Sequence, residues 1–151
     1  MLVADIIKEK DDRVVSVAPN TKISTVAHIL RQEDIGAVLV TTEDKNLLGI
    51  ISERDIVSGI DEHGPTITEL HCSKLMTSPV STCNTQTRTD TLMKQMLSER
   101  IRHVPVVNGG KLLGIVSIGD VVKNVVAESG LLKDVYEKQV ITLEDWATED
   151  N

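Results

Sequence analysis

The chain has 151 residues, 40% of them hydrophobic, enough for one compact core or for two small halves that share one. A formal net charge of -7, no phenylalanine, and Tyr136 and Trp146 as the only aromatics exclude the basic surface and stacking platforms that hold nucleic acids. No window approaches the ~18 apolar residues of a membrane span. MLVADIIKEK lacks the basic start and apolar run of a secretory signal, so a cytoplasmic protein is expected, with neither nucleic acid nor membrane as partner.

In chain order, VADIIKE predicts a helix within a lead-in over 1–13. VVSVAP (14–19) predicts a short strand ending at Pro19-Asn20. KISTVAHILRQED spaces Ile23, Val26, Ala27, Ile29 and Leu30 as one buried helix face. GAVLV and NLLGIIS, joined by the polar TTEDKN, predict a hairpin, and Ser52 opens a helix, ERDIVSGIDEHG, that stops at Gly64-Pro65. A linker over 65–78 is expected to hold a short helix around Leu70 to Met76.

The order then recurs. PVSTC predicts a strand, TRTDTLMKQMLSER a helix, HVPVV and KLLGIVS a hairpin through Asn108-Gly109-Gly110, and SIGDVVKNVVAES a helix. GIISERDIV (49–57) returns as GIVSIGDVV (114–122), with Gly, Ser and Asp all displaced by 65 positions. The hairpin strands before it align at an offset of 66, because TTEDKN is one residue longer than its counterpart. The chain is therefore read as two β-α-β-β-α copies, at 14–64 and 79–128. A C-terminal helix (LLKDVYEKQ) and the acidic ITLEDWATEDN occupy 129–151.

Cys72 and Cys83 have no disulfide or zinc spacing, and His71 beside Cys72 has no second ligand pair, so free thiols and no metal are expected. No Cys-His or Ser-His pair, glycine-rich phosphate loop or metal triad can be assembled, so neither an enzyme nor a covalent cofactor is expected. The repeated Ser-x-x-Asp carries more chemistry. Ser52 and Ser117 each follow an apolar strand and begin a helix, where unpaired amides and the helix dipole favour an anion. Asp55 and Asp120 each offer two acceptor oxygens, enough for both hydroxyls of a ribose. Gly49 and Gly114 would permit close backbone approach within the strand. The same pattern also resembles a capping box that satisfies the helix's own amides, and the two roles can coexist.

Two β-α-β-β-α units, RIRHVPVV in the second, and third strands running into ISERDIV and SIGDVV resemble a tandem pair of cystathionine-β-synthase (CBS) domains over residues 2 to 125. The resemblance implies two repeats packed through their sheets with pseudo-twofold symmetry, two clefts for an adenosyl ligand (AMP, ADP, ATP, NAD(H) or S-adenosylmethionine), and a homodimer. It implies a regulatory role, exerted by a shift between orientations of the halves on an unknown partner protein. A dimeric scaffold with degenerate sites is the alternative.

Carried onto this sequence, the resemblance implies that each cleft joins the Ser-x-x-Asp of one repeat to the strands of the other. The first would gather Ser52, Arg54, Asp55, Val80, Ile101, Arg102, His103 and Pro105; the second Ser117, Asp120, Val15, Val17, Ile35, Gly36, Ala37 and Leu39. Arg54, Arg102 and His103 mark the first as the better phosphate site, and the second is expected to be weak, empty or selective for the adenosine half of a ligand. The chain departs from the family pattern where Asn84-Thr85 stand in place of a proline and where Leu39 stands opposite Pro105.

Overall fold

Val3, Ile6 and Ile7 fall on one helical face, and the first element of the computed structural model, which describes residues 1–10 and 13–129, is helix α1 (Val3–Glu9). There follow β1 (Ser16–Val17), α2 (Ile23–Glu33), β2 (Ala37–Thr41), β3 (Leu47–Ser52) and α3 (Glu53–His63), then 3-10 helices at Gly64–Glu69 and Cys72–Lys74. The second copy supplies α4 (Thr89–Glu99), β4 (His103–Asn108), β5 (Lys111–Ser117) and α5 (Ile118–Ser129). The helix and acidic tail expected beyond residue 129 lie outside the described residues.

β1 pairs parallel with β2, and β2 antiparallel with β3, in a three-stranded sheet. β4 and β5 form an antiparallel hairpin, turned by Gly109 and Gly110 at φ 58° and 78°, left-handed values that glycine adopts without steric cost.

Two expected elements differ. PVSTC does not form a strand: only Cys83 bridges Val106, its N–H donating to the Pro105 carbonyl at 3.0 Å and its carbonyl accepting from Val107 N–H at 2.8 Å. The pairing stops because Asn84 starts a turn, its side-chain oxygen accepting from Gln86 N–H at 2.8 Å, a local bond that competes with a ladder. The helix expected around Leu70 to Met76 is instead the pair of 3-10 turns, separated by Leu70 and His71.

Each copy has its own core, but neither is closed by its own leading segment. The first is built from Val17, Ile23, Val26, Leu30, Val38, Val40 and Ile51, and is covered by Ile67, Cys72, Leu75 and Met76 from the connector that precedes the second copy. The second is built from Leu92, Met96, Val104, Val106, Val116 and Val121, and is covered by Val3 and Ile6 of α1, which precedes the first copy. The covers dock alike. Ile23 N–H donates to Leu70 O at 2.9 Å and Cys72 N–H to Thr21 O at 2.7 Å, while Val3 N–H donates to Thr87 O at 2.8 Å and Thr89 N–H to Met1 O at 3.1 Å. Glycine in each third strand makes room for its cover: a Cβ on Gly49 would lie 2.5 Å from Met76 Sδ, and one on Gly114 would lie 3.1 Å from Ile7 Cδ1. The space at Gly49 serves packing rather than a ligand. The two sheets meet through Ala37, Leu39 and Ile50 with Val14, Val80, Leu112 and Ile115.

Candidate ligand-binding clefts

Both Ser-x-x-Asp motifs sit where a strand runs directly into a helix. Ser52 N–H donates to Asp55 Oδ2 at 2.8 Å, and Ser52 Oγ accepts from Asp55 N–H at 3.3 Å. Ser117 N–H donates to Asp120 Oδ2 at 2.8 Å, and Ser117 Oγ accepts from Asp120 N–H at 3.1 Å. Each motif is therefore a closed capping box. The Glu53 and Ile118 amides are also engaged, donating to Gly36 O at 3.0 Å and Arg102 O at 2.8 Å. The helix starts thus offer an anion fewer free amides than the motif suggests. Each box binds through the aspartate's Oδ2, which leaves the carboxylate's other oxygen outside the box.

The boxes face two clefts between the repeats. One, about 220 Å³, brings Ser52, Arg54 and Asp55 together with Ile101, Arg102 and His103, and adds Glu53, Thr77 and Arg100. Arg100 reaches it because α4 ends there in a left-handed residue, Arg100 at φ 56°, after which Ile101 N–H closes on Met96 O at 3.0 Å. The usual residue at such an end is glycine, so nothing in the sequence pattern flags an arginine turned toward a cleft. Among the described residues, Arg54, Arg100 and Arg102 form no ion pair. Val80 and Pro105 do not line this cleft. Val80 packs between the sheets, and Pro105 is buried in β4 opposite Ile115.

The other cleft, about 490 Å³, joins Ser117 to Val15, Ile35, Gly36 and Ala37. Val17 and Leu39 point instead into cores, and Asp120 stands behind Ser117, joined to the lining by Lys10. The cleft is not the uncharged one that the motifs imply, because Lys10 and Arg13 also line it. Both are paired: Lys10 Nζ with Asp120 Oδ2 at 2.7 Å, and Arg13 with Glu33 at 2.5 Å. Neither belongs to a repeated phrase, so alignment of the two copies could not find them.

His103 and Gly36 line both clefts and form a common wall, the imidazole lying 3.0 Å from where a Gly36 Cβ would be. Burial pushes the His103 pKa down, and nearby Lys10 and Arg102 add to this against the pull of Glu53 and Asp120. At Asp120, burial pushes the carboxyl up, but the Lys10 ammonium and the Ser117 box outweigh it and hold the group below the ordinary range. Cys72 and Cys83 are buried away from both clefts, and burial pushes the Cys83 thiol up to about 11. Among the described residues, no group of three or more His, Cys, Asp or Glu is placed to hold a metal, and no helix is long and apolar enough to cross a membrane.

This arrangement of duplicated units around two shared clefts is that of a CBS pair. The CBS domain family model matches residues 3–62 and 72–127, and the chain belongs to that family. A CBS-domain containing protein from Agrobacterium tumefaciens is 42% identical, with a TM-score of 0.80 over 82% of this chain and 98% of that one. The CBS domain pair of protein MJ0100, solved in complex with 5′-methylthioadenosine and S-adenosyl-L-methionine, is 25% identical, with a TM-score of 0.75 over 85% and 98% of the two chains. Among curated proteins, the mitochondrial CBS domain-containing protein CBSX3 of Arabidopsis thaliana is 36% identical over 66% of this chain and 50% of its own length. An uncharacterized protein of Methanopyrus kandleri is 31% identical over 73% of this chain and 57% of its own length, so the chain spans little more than half of these relatives.

Proposed function

We propose that the protein is a regulatory module that responds to adenine nucleotides, with the phosphate of AMP, ADP, ATP or NAD(H) held by Arg54, Arg100 and Arg102 and the ribose by Asp55. The observation that carries this reading is that three arginines line one cleft together with Asp55, with no ion pair to neutralise them among the described residues. Planar guanidinium forks match phosphate oxygens in pairs, and such charge-assisted bonds are about twice as strong as neutral ones. The MJ0100 complexes support the adenosyl class. Within that class, a sulfonium cation fits poorly among three arginines, which favours phosphorylated ligands over S-adenosylmethionine in this cleft.

The first cleft, at about 220 Å³, is smaller than the roughly 300 Å³ at which small-molecule sites begin. A nucleotide held across both repeats shifts their population toward the relative orientation that binds it best. The changed outer surface is what a partner protein reads, so the role is regulatory rather than catalytic. Free thiols at Cys72 and Cys83 suit a reducing cytoplasm. A homodimer fits the outer helices: Val57 of α3 is 66% exposed and Val122, at the matching position of α5, is 44% exposed. An apolar site repeated by internal symmetry suits a second copy of the same chain. Val57→Asp with Val122→Asp should convert a dimer to a monomer by light scattering, and a monomeric parent would refute this part.

The ligand reading is tested by a thermal-shift panel of AMP, ADP, ATP, NADH and S-adenosylmethionine. A ligand at about 100 times its Kd stabilises the fold by about 2.7 kcal/mol. Asp55→Ala should remove most of the AMP shift, leaving only the part that the second cleft supplies, and Asp120→Ala should leave most of it. The reverse outcome overturns the ranking of the clefts, and no shift with any ligand leaves the scaffold reading.

A further inference from the structure

The second cleft contains a charge that neither repeat encodes. Ile7 and Met76 hold matching places against Gly114 and Gly49, and Val15 and Val80 are matching positions in the two first-strand stretches. Three residues separate Met76 from Val80, but seven separate Ile7 from Val15. The longer path brings Lys10 to the cleft, where Nζ donates to Asp120 Oδ2 at 2.7 Å and to the Ile115 carbonyl at 2.8 Å. Oδ2 already accepts from Ser117 N–H at 2.8 Å. The ammonium thus sits on the box oxygen, so a ribose that draws on both oxygens of this carboxylate meets a cation of the chain itself, and only Oδ1 lies outside these bonds.

We propose that Lys10 is a resident cation that sets the ligand class of the second cleft, excluding neutral nucleosides and admitting adenosyl ligands that carry an anionic 5′ group. The proposal rests on the reading of Asp120 as a ribose acceptor. A neutral nucleoside must either share Asp120 with Lys10 or displace the ammonium and leave it without its carboxylate. That is costly for a pair whose side chains are only 34% and 25% exposed. A phosphorylated ligand supplies a replacement anion. Lysine suits the exchange because its flexible stem and three donors let the charge move from carboxylate to phosphate, where a guanidinium fork would be held by geometry. The segment behind it is anchored, with Val3 and Ile6 in the second core and Ile7 against Gly114. The movement therefore belongs to the side chain. Arg13 is tied to Glu33, so among the described residues the rim offers no free cation in place of Lys10, while Asp34, which forms no ion pair there, adds a negative charge.

The experiment is isothermal titration of adenosine and AMP into the full chain carrying Asp55→Ala, which disables the first cleft. AMP should bind about tenfold or more tightly than adenosine. Lys10→Met should strengthen adenosine binding and weaken AMP binding, bringing the two within about threefold, and Lys10→Arg should keep a preference for AMP. A ratio unchanged by Lys10→Met, or equal loss for both ligands as a merely structural role would give, overturns the proposal. Absence of any second-cleft binding with either lysine or methionine refutes the ribose reading of Asp120 and the proposal with it. Should Asp55→Ala not fold, the same ratio can be read from the Gly114 amide in ¹H–¹⁵N spectra of the parent and Lys10→Met chains, since Gly114 lines only the second cleft.

Discussion

Gly49→Ala should destabilise the fold where Gly114→Ala, its repeat-related counterpart, should not. A Cβ on Gly49 would meet Met76 Sδ, Cγ and Cβ at 2.5, 2.9 and 3.1 Å. Cβ and Cγ are the stiff end of that side chain, and its backbone is pinned. The next residue, Thr77, exchanges hydrogen bonds of 2.9 and 3.1 Å with Ile50, the residue after Gly49. Met76 therefore cannot back away, and overpacking of this kind costs about 1–3 kcal/mol. At Gly114 the new methyl meets only Ile7 Cδ1, at 3.1 Å, the far end of a flexible chain. There the ~0.4–1 kcal/mol gained by restricting the unfolded state offsets the contact. Urea denaturation of both variants reads the difference, which in a chain of 151 residues corresponds to roughly 2–4 °C in Tm per kcal/mol. Met76→Ala, which vacates the space, should make Gly49→Ala less costly by about 1 kcal/mol or more in a double-mutant cycle. Equal effects at the two glycines, or additivity with Met76→Ala, would refute the interlocking of connector and strand.

The crossed packing predicts that Ile6→Ala, at a side chain 1% exposed, costs about 2–4 kcal/mol. Hydrogen exchange should show protection lost from β4 and β5 rather than from β2, which lies nearer in sequence. Arg100→Gly should relieve a left-handed backbone at φ 56°, raising stability by up to about 1 kcal/mol while weakening AMP binding by calorimetry; loss of both stability and binding would contradict this. For His103, a folded pKa below the unfolded value means that the unfolded chain takes the proton first, so stability should fall as pH drops below about 6.5. His103→Gln should remove that step from a denaturation series. For Asp120 the folded pKa is also depressed, so its stabilisation is present above about 3.9 and is lost as pH falls through the folded value. Asp120→Asn should flatten that acid limb.

The copies themselves are plain in the sequence because their signals are local. A strand running into Ser-x-x-Asp, a helix with one apolar face and a Gly-Gly turn each depend on neighbours within a few residues, and the offset of 65 ties the two sets together. The clefts' shared composition follows once one repeat's helix start is set against the other's strands, which places Ser52 beside Arg102 and Ser117 beside Gly36. The resemblance carried whole strands to the clefts and misplaces Val17, Leu39, Val80 and Pro105, since a strand near a cleft turns only some of its residues toward it and these four are buried in cores or between the sheets. Lys10, Arg13 and Arg100 escape a motif reading for a different reason. The first two lie in a connector whose path is set by long-range packing, and the third depends on how a helix terminates.

Duplication makes the scaffold symmetric, and the connectors make it asymmetric. Each connector performs two tasks, closing the core of the non-adjacent repeat and then crossing toward the next first strand. The first task fixes its apolar residues in matching places, Ile7 with Met76 and Val3 among the second core as Ile67 is among the first. The second task is free to vary, because a path of three residues and one of seven both arrive at a matching valine. The short path leaves Asp55 without a lysine partner, in a cleft whose arginines are unpaired among the described residues. The long path sets an ammonium on Asp120. Two sites built from one ancestral motif thus differ in charge both within the repeats, where Arg54 and Arg102 match Gly119 and Gly36, and through the connectors, which set Lys10 on only one of the two aspartates.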